Sequence, residues 1–215
     1  MNDKYADLRD EMVRRQIAAR TIEDKRVLAA MLTVPRHLFV PEELREEAYG
    51  DGPLPIGYGQ TISQPYIVAL MTEKLEVGME CRVLEIGAGS GYQTAVLAEL
   101  AFDVHSVEIV PELVAMARKN LARAGYENVR VRQGDGGRGL PELAPFTRIL
   151  VAATAEEVPA ELLAQLAPGG RMILPLASGG DQELVLLRKA PDGAVERESH
   201  GLVRFVPLVG GEGGT

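Results

Sequence analysis

The chain has 215 residues, of which 46% are hydrophobic, so it is long enough to bury one full core and too short for two large domains. Its 31 acidic side chains outnumber the 23 basic ones and give a net charge of −8, so the molecule as a whole should repel phosphate backbones and anionic lipid surfaces. These bulk properties argue against nucleic acid and against a membrane as partners.

The N-terminal residues are charged and lead into no apolar stretch of the kind found in signal peptides or membrane spans, so we expect a cytoplasmic protein. The single cysteine, Cys81, cannot form an internal disulfide, and its neighbours lack the spacing of metal ligands. We therefore expect no metal site. No motif specifies an oligomeric state, and a monomer is the expectation.

The first part of the chain has helical periodicity. Between about Asp3 and Ala48, apolar residues recur at helical spacing, which predicts a helical N-terminal extension. Frequent prolines and glycines then predict a long irregular segment, until a new amphipathic helix begins at Gln64-Pro65 and runs to about Lys74. A loop of this length inside a domain usually has a function.

From Cys81 onward, short apolar strands alternate with helical stretches, which predicts a mainly parallel sheet covered on both faces. The predicted strands are Arg82–Ile86, Val104–Glu108, Val129–Gln133 and Arg148–Ala152. The predicted helices lie near Tyr92–Leu100, Pro111–Ala124 and Pro159–Leu166.

Three further strands, separated only by turns, predict an antiparallel edge: Arg171–Leu174, Glu183–Lys189 and Leu202–Val206. The fold class expected is therefore α/β, with a doubly wound, Rossmann-like sheet of seven strands, mostly parallel. We expect one compact domain in two parts. Residues 1–78 would form the helical extension with an active-site loop, and residues 79–215 the cofactor-binding core.

A glycine turn follows the first predicted strand of the core. Gly87, Gly89 and Gly91 stand between that strand and a helix, where glycine lets the backbone come close to a ligand. The spacing is Gly-x-Gly-x-Gly, whereas dinucleotide-binding enzymes use Gly-x-Gly-x-x-Gly to seat a pyrophosphate. S-adenosylmethionine has no pyrophosphate, so the spacing favours a methyltransferase over a dehydrogenase.

Acidic residues stand at the ends of three successive strands. Glu85 could meet the cationic amino acid portion of S-adenosylmethionine, Glu108 could accept hydrogen bonds from both ribose hydroxyls, and Asp135 could accept one from the adenine amino group. Each has a plain alternative: Glu85 as a solvated strand end, Glu108 as a cap for the helix at Pro111, and Asp135 as a turn former. Their combination with the glycine turn favours adenosine binding.

The whole pattern resembles a class I methyltransferase, and the segment Gly57–Tyr66, with the sequence GYGQTISQPY, resembles the signature of the protein-L-isoaspartate O-methyltransferase family. Supporting stretches are Val34–Pro41, Gly134–Gly136, Leu166–Pro175 and Val203–Leu208. The likeness runs from roughly Met12 to Val209. It departs from the family pattern at Leu140, where tryptophan is common, and at Thr147, where aspartate is common.

The resemblance implies transfer of a methyl group from S-adenosylmethionine to the α-carboxylate of isoaspartyl residues in damaged proteins and peptides. It places Ser63 at the active-site position, as a hydrogen-bond donor that positions substrate, although a serine there could simply cap the following helix. Substrate would also meet Thr61, Ile62 and Val206. The cofactor would lie against Gly57, Tyr58, Gly59, Glu85, Gly87, Gly89, Gly91, Glu108, Ile109, Asp135 and Gly136.

Rival functions remain open at this point. A methyltransferase for RNA or a small metabolite would share the glycine turn and the acids, but it gains no support from the scattered basic residues and the aromatic content of 5%. A non-catalytic adenosine-binding module is the other alternative. A hydrolytic triad is disfavoured because no histidine has an evident serine or aspartate partner.

Overall fold

The computed structural model describes residues 4–210, so the parts of the two predicted units at residues 1–3 and 211–215 lie outside the described residues. The α-helices are α1 Ala6–Glu11, α2 Lys25–Thr33, α3 Pro65–Leu75, α4 Tyr92–Ala98, α5 Pro111–Ala124 and α6 Ala160–Gln165. The strands are β1 Leu54–Gly57, β2 Gln60–Ile62, β3 Arg82–Ile86, β4 Asp103–Glu108, β5 Val129–Gln133, β6 Phe146–Val151, β7 Leu166–Ser178, β8 Asp181–Lys189 and β9 Val195–Val203.

The helical N-terminal extension is confirmed. Helix α1 continues directly into a π-helix at Met12–Ala18, and α2 follows after a short loop. The side chain of Asp24 accepts a hydrogen bond from the backbone N–H of Arg26 at 2.8 Å, which caps the first turn of α2. Two 3₁₀ turns, Arg36–Leu38 and Glu42–Glu47, complete the extension.

The prediction of an irregular segment before α3 was incomplete, because it contains a β-hairpin. Strands β1 and β2 are antiparallel, with Leu54 opposite Ile62 and Pro55 opposite Thr61. The turn between them has positive φ at Gly57 (89°), Tyr58 (54°) and Gly59 (70°). The strands have only four and three residues, too few for an alternating pattern to stand out in the sequence.

The predicted fold class is confirmed by the main sheet, whose strand order is β5-β4-β3-β6-β7-β8-β9. Strands β3 to β7 are parallel to one another, and β8 and β9 are antiparallel to their neighbours. All the parallel strands therefore end at one edge, where a ligand site is usual in an open α/β sheet.

The last strand was placed too late in the sequence: β9 is Val195–Val203, and Val206 lies beyond it. Most of β9 is exposed, because an edge strand is held by pairing with its neighbour and has no apolar face to bury. Three successive residues of β9 are charged, Glu196, Arg197 and Glu198. Cross-strand ion pairs support the pairing, with Arg188 to Glu198 at 2.6 Å and Arg197 to Glu183 at 2.9 Å.

Two apolar clusters cover the two faces of the sheet. The first joins residues of the N-terminal extension, such as Met12 and Met31, to strand residues such as Val83 and Val104. The second includes Leu84, Ile86, Ile149, Leu162 and Met172. The extension thus shares a core with one face of the sheet, and the division at residue 78 stays a prediction.

The two departures from the family pattern have structural roles. The Thr147 hydroxyl accepts a hydrogen bond from the Arg82 N–H at 3.1 Å and lies 3.2 Å from the Arg82 carbonyl, which ties β6 to the start of β3. Leu140 is buried in the second cluster. Neither residue lines the cavity described below. No helix among residues 4–210 is long and apolar enough to cross a membrane.

Candidate functional site

A cavity of about 860 Å³ opens at the carboxyl ends of β3, β4 and β6. Its floor is formed by residues 86–90, 107–109 and 152–153, together with Gly136. Two other segments form much of the wall, the active-site loop of residues 60–64 and residues 202–209, which comprise the end of β9 and the chain after it. This volume lies within the range of small-molecule sites.

Two of the three glycines in the turn after β3 line the cavity. Gly87 has φ of 89° and Gly89 has φ of 53°, so the turn follows a path that residues with a side chain rarely adopt. Gly91 does not line the cavity and instead packs against α5: a Cβ on it would lie 3.2 Å from Leu121 Cγ. Gly91 therefore has a role in helix packing, and its direct contact with the cofactor stays a prediction.

Glu108 joins the end of β4 to the glycine turn. One carboxylate oxygen, Oε2, accepts a hydrogen bond from the Gly89 N–H at 2.9 Å, and Oε1 accepts one from the Val110 N–H at 3.0 Å. Each oxygen keeps a second lone pair for a ligand hydroxyl. Glu108 and its neighbour Ile109 both line the cavity, so the capping role near α5 and the predicted ribose role are compatible.

Glu85 is not in the cavity wall, and its direct contact with the cofactor stays a prediction. Its side chain is fully buried and lies on the face of β3 opposite to Ile86, and its Oε2 accepts a hydrogen bond from the Thr94 hydroxyl at 2.5 Å. Burial raises the pKa of Glu85 to about 7, against the opposing effect of the Ser106 and Thr94 hydroxyls. Glu85 thus braces β3 against α4 behind the glycine turn.

Replacing Glu85 by glutamine should change how stability depends on pH. The folded protein holds the Glu85 proton up to about pH 7, whereas the reference value is 4.5, so the parent loses stability as pH rises between these values. The variant has no such titration. Relative to the parent, we expect its free energy of unfolding to rise by about 2.5 kcal/mol from pH 5 to pH 8.

Urea unfolding of the ligand-free proteins at pH 5, 6, 7 and 8 measures this difference. Glu142→Gln is the control, because Glu142 is exposed and pairs with Arg132 at 2.6 Å on the surface. Parallel pH curves for the parent and Glu85→Gln would show that Glu85 is ionised in the folded protein throughout this range.

The turn after β5 places Asp135 and Gly136 differently. Gly136 lines the cavity, and a Cβ on it would lie 2.3 Å from Ile86 Cγ2, so only glycine fits there. Asp135 does not line the cavity: its Oδ1 accepts a hydrogen bond from the Gly137 N–H at 2.9 Å, and its carboxylate lies against Gly210. Asp135 therefore forms the turn, as its plain alternative has it, and its contact with the adenine amino group stays a prediction.

The hairpin contributes its second strand and the residues after it. Thr61, Ile62 and Ser63 line the cavity, whereas Gly57, Tyr58 and Gly59 form the exposed hairpin turn and do not. The cofactor contacts of Gly57, Tyr58 and Gly59 therefore stay a prediction. The alternative role of Thr61 and Ser63 as helix caps is not realised, because Gln64 is the N-cap of α3 and no side chain among the described residues caps it.

The chain after β9 is held in place along one side of the cavity. The Val206 carbonyl accepts a hydrogen bond from the Thr154 N–H at 2.8 Å, and the Leu208 N–H donates to the Thr154 carbonyl at 2.8 Å. The Gln182 side chain bonds both the N–H and the carbonyl of Phe205, at 2.5 and 3.0 Å. Val206 lines the cavity as predicted, in a fixed extended segment rather than in a strand.

Several lining residues had no signal in the sequence. Met71 comes from α3, and Gln93 comes from α4. Met71 could have been predicted as an inward-facing residue of α3 from its helical spacing, but nothing local indicates that this face meets a ligand. His37, His105 and His200 lie outside the cavity wall.

The residues present fit S-adenosylmethionine. Gly87 and Gly89 add no side chains to the floor, Glu108 offers carboxylate oxygens to hydroxyl groups, and Gly136 keeps the adjoining wall open. Apolar side chains such as Ile86 and Ile109 provide surface for a ring. A glycine turn of this spacing at the ends of parallel strands, with an acid ending the next strand, defines a class I S-adenosylmethionine-dependent methyltransferase.

Comparison with known proteins identifies the family. The model of the protein-L-isoaspartate(D-aspartate) O-methyltransferase family matches residues 7–213. Protein-L-isoaspartate O-methyltransferase 2 of Marinobacter nauticus is 56% identical over 97% of this chain and 95% of its own length. The chain belongs to the protein-L-isoaspartate(D-aspartate) O-methyltransferase family, as the resemblance implied.

Comparison with solved structures supports the same family. A protein-L-isoaspartate O-methyltransferase superposes with a TM-score of 0.84 at 31% identity, over 94% of this chain and 66% of that chain, so this chain spans about two thirds of its length. A putative protein-L-isoaspartate O-methyltransferase from Plasmodium falciparum, solved in complex with S-adenosyl-L-homocysteine, gives a TM-score of 0.83 at 28% identity, over 95% and 98% of the two chains.

Proposed function

We propose that this protein transfers a methyl group from S-adenosylmethionine to the α-carboxylate of L-isoaspartyl residues in damaged proteins and peptides, which starts their repair through a succinimide. One observation carries the proposal: Ser63 and its loop line the same cavity as the glycine turn and Glu108. A substrate side and a cofactor side therefore share one enclosed space. When bound, S-adenosylmethionine supplies an electrophilic methyl group on a sulfonium.

The substrate needs no general base. A main-chain α-carboxylate has a pKa of roughly 3 to 4, so the isoaspartyl group is already an anion at neutral pH. The protein must hold one carboxylate oxygen in line with the methyl group and exclude water from both. Such orientation lowers the activation free energy by on the order of 7–11 kcal/mol. No histidine or other base has to take part.

Ser63 is the donor that we assign to substrate. Its hydroxyl belongs to a loop that lines the cavity, and its carbonyl is fixed from below by Arg36 at 2.9 Å. The extended segment around Val206 forms part of the wall, and we assign to it the backbone contacts with an extended peptide. Contacts through backbone would make binding insensitive to the side chains beside the isoaspartate.

The test is transfer of labelled methyl from S-adenosylmethionine to a synthetic isoaspartyl peptide, beside the identical peptide with ordinary aspartate. Base-labile label on the isoaspartyl peptide alone is the expected result, because a carboxyl methyl ester is hydrolysed by base. Label on neither peptide, with S-adenosylhomocysteine still bound, would contradict the substrate assignment and leave the cofactor assignment intact.

Ser63→Ala should lower kcat/KM for the isoaspartyl peptide by about tenfold to a hundredfold, as expected for the loss of one hydrogen bond to a charged group. The affinity for S-adenosylhomocysteine should not change, because Ser63 is assigned to the substrate side. Ser199→Ala is the control: its hydroxyl donates to Glu183 at 2.5 Å on the exposed edge of the sheet. Equal kinetics for parent and Ser63→Ala would remove Ser63 from the mechanism.

The remaining assignments are also proposals. A monomer without nucleic acid partners is supported by the net charge of −8, and the expected sedimentation mass is that of one 23.2 kDa chain. A cytoplasmic location is supported by the one cysteine, Cys81, which is buried and unpaired. Residues 1–78, which include the active-site loop, would serve as the substrate-facing part of the molecule.

A further inference from the structure

Arg36 is a fully buried cation below the active-site loop. It lies in the 3₁₀ turn Arg36–Leu38 of the N-terminal extension, and none of its surface is exposed. Its Nε donates to the Ala48 carbonyl at 2.7 Å, and its Nη2 donates to the Ser63 carbonyl at 2.9 Å. The guanidinium carbon lies 4.7 Å from the centre of the Tyr92 ring. Arg36 therefore joins the N-terminal extension, the active-site loop and α4.

The charge of Arg36 is not neutralised within the described protein. Among residues 4–210 no carboxylate forms an ion pair with it, and its Nη1 is buried without a hydrogen-bond partner. Burial lowers the pKa of Arg36, but an arginine stays charged at neutral pH. A buried charge without an ion-pair partner costs stability, and here that cost falls on a residue that contacts the active-site loop.

Two of the three groups that Arg36 contacts line the cavity. Ser63 and Tyr92 both form part of its wall, so the guanidinium stands directly behind the surface that faces substrate. Inside a protein a charge is weakly screened, and its field extends through one layer of atoms. The group that enters this side of the cavity, on the proposed function, is an anion.

We infer that Arg36 is a positioning residue for the substrate: it fixes the Ser63 carbonyl, and thereby the Ser63 side chain, and its uncompensated charge favours the isoaspartyl carboxylate over neutral groups. This inference rests on the proposed function. It makes the N-terminal extension part of the substrate site, although none of the residues 4–52 lines the cavity itself.

The experiment compares binding of two peptides to the protein saturated with S-adenosylhomocysteine. One peptide carries isoaspartate with its free α-carboxylate, and the other is identical but carries the neutral α-carboxamide. The parent should prefer the carboxylate. In Arg36→Met this preference should fall about tenfold, because the positive charge is gone, while the affinity for S-adenosylhomocysteine stays within about threefold. Calorimetry measures both affinities.

A lysine at position 36 separates the effect of the charge from the effect of the hydrogen-bond geometry. Arg36→Lys keeps the charge but cannot reproduce the guanidinium fork, so it should retain the carboxylate preference while kcat falls and amide hydrogen exchange of residues 60–64 becomes faster. Arg118→Met is the control, since Arg118 also donates to a backbone carbonyl, that of Val131 at 2.7 and 3.0 Å, and lies away from the cavity. It should change none of these quantities.

An unchanged carboxylate preference in Arg36→Met would overturn the inference. If Arg36→Met does not fold, Arg36→Lys decides, and unchanged kcat and unchanged exchange of residues 60–64 would overturn it. Failure of the parent to bind the isoaspartyl peptide would instead contradict the proposed function, so the two failures are distinguishable.

Discussion

Glu108→Ala is expected to weaken binding of S-adenosylhomocysteine by about 100- to 1,000-fold, or about 3–4 kcal/mol. The carboxylate accepts hydrogen bonds from the N–H groups of Gly89 and Val110, at 2.9 and 3.0 Å, and we assign its remaining lone pairs to the ribose. Alanine removes the anchor of the glycine turn and the ribose acceptor together. Calorimetric titration with S-adenosylhomocysteine gives the affinity.

Two further variants make this measurement specific. Glu108→Gln keeps the shape but loses the charge and one acceptor, so its affinity should lie between those of the parent and Glu108→Ala. Glu99→Ala is the control, because Glu99 accepts only from the Tyr126 hydroxyl, at 2.7 Å, at the end of α4. A Glu108→Ala protein that binds within threefold of the parent would show that the cofactor does not use this strand end.

Gly136→Ala is expected to lower the free energy of unfolding by about 1–3 kcal/mol and the affinity for S-adenosylhomocysteine by at least about tenfold. The added Cβ would lie 2.3 Å from Ile86 Cγ2, closer than real Cβ contacts occur. Ile86 leads into the glycine turn, and both residues line the cavity. Relief of the clash must therefore move one wall of the cofactor site.

Gly134→Ala is the matched control for this prediction. It adds the same methyl group two residues earlier, where the Cβ would make an ordinary contact with Val107 Cγ1 at 3.5 Å. Its free energy of unfolding should change by less than about 1 kcal/mol in either direction. Urea unfolding and calorimetry are made on all three proteins. Equal effects of the two substitutions would show that the close packing of Gly136 against Ile86 has no energetic consequence.

Arg36 connects the stability of the N-terminal extension to the chemistry of the site. Its hydrogen bonds to the carbonyls of Ala48 and Ser63 join a segment that lines no part of the cavity to the loop that does. Substitutions in the extension that loosen this link should therefore change substrate kinetics more than cofactor affinity.

The sequence by itself determined the α/β class, the succession of strands and helices along the core, the glycine turn and the family. These features depend on neighbours along the chain. Gly87 and Gly89 follow β3 directly, and the loop around Ser63 carries its signature within ten residues. Local patterns of this kind are set by backbone geometry and spacing, which one segment contains completely.

Only the tertiary structure decided which side chains reach the cavity. Alternation along β3 requires Glu85 and Ile86 to point to opposite faces, but the packing of α4 decides that Glu85 is the one turned away. Gly210, seventy-five residues after Asp135 by their numbering, covers the carboxylate that was predicted to face the ligand. Such contacts join segments far apart in the chain, so their selection depends on how whole elements pack and not on any local pattern.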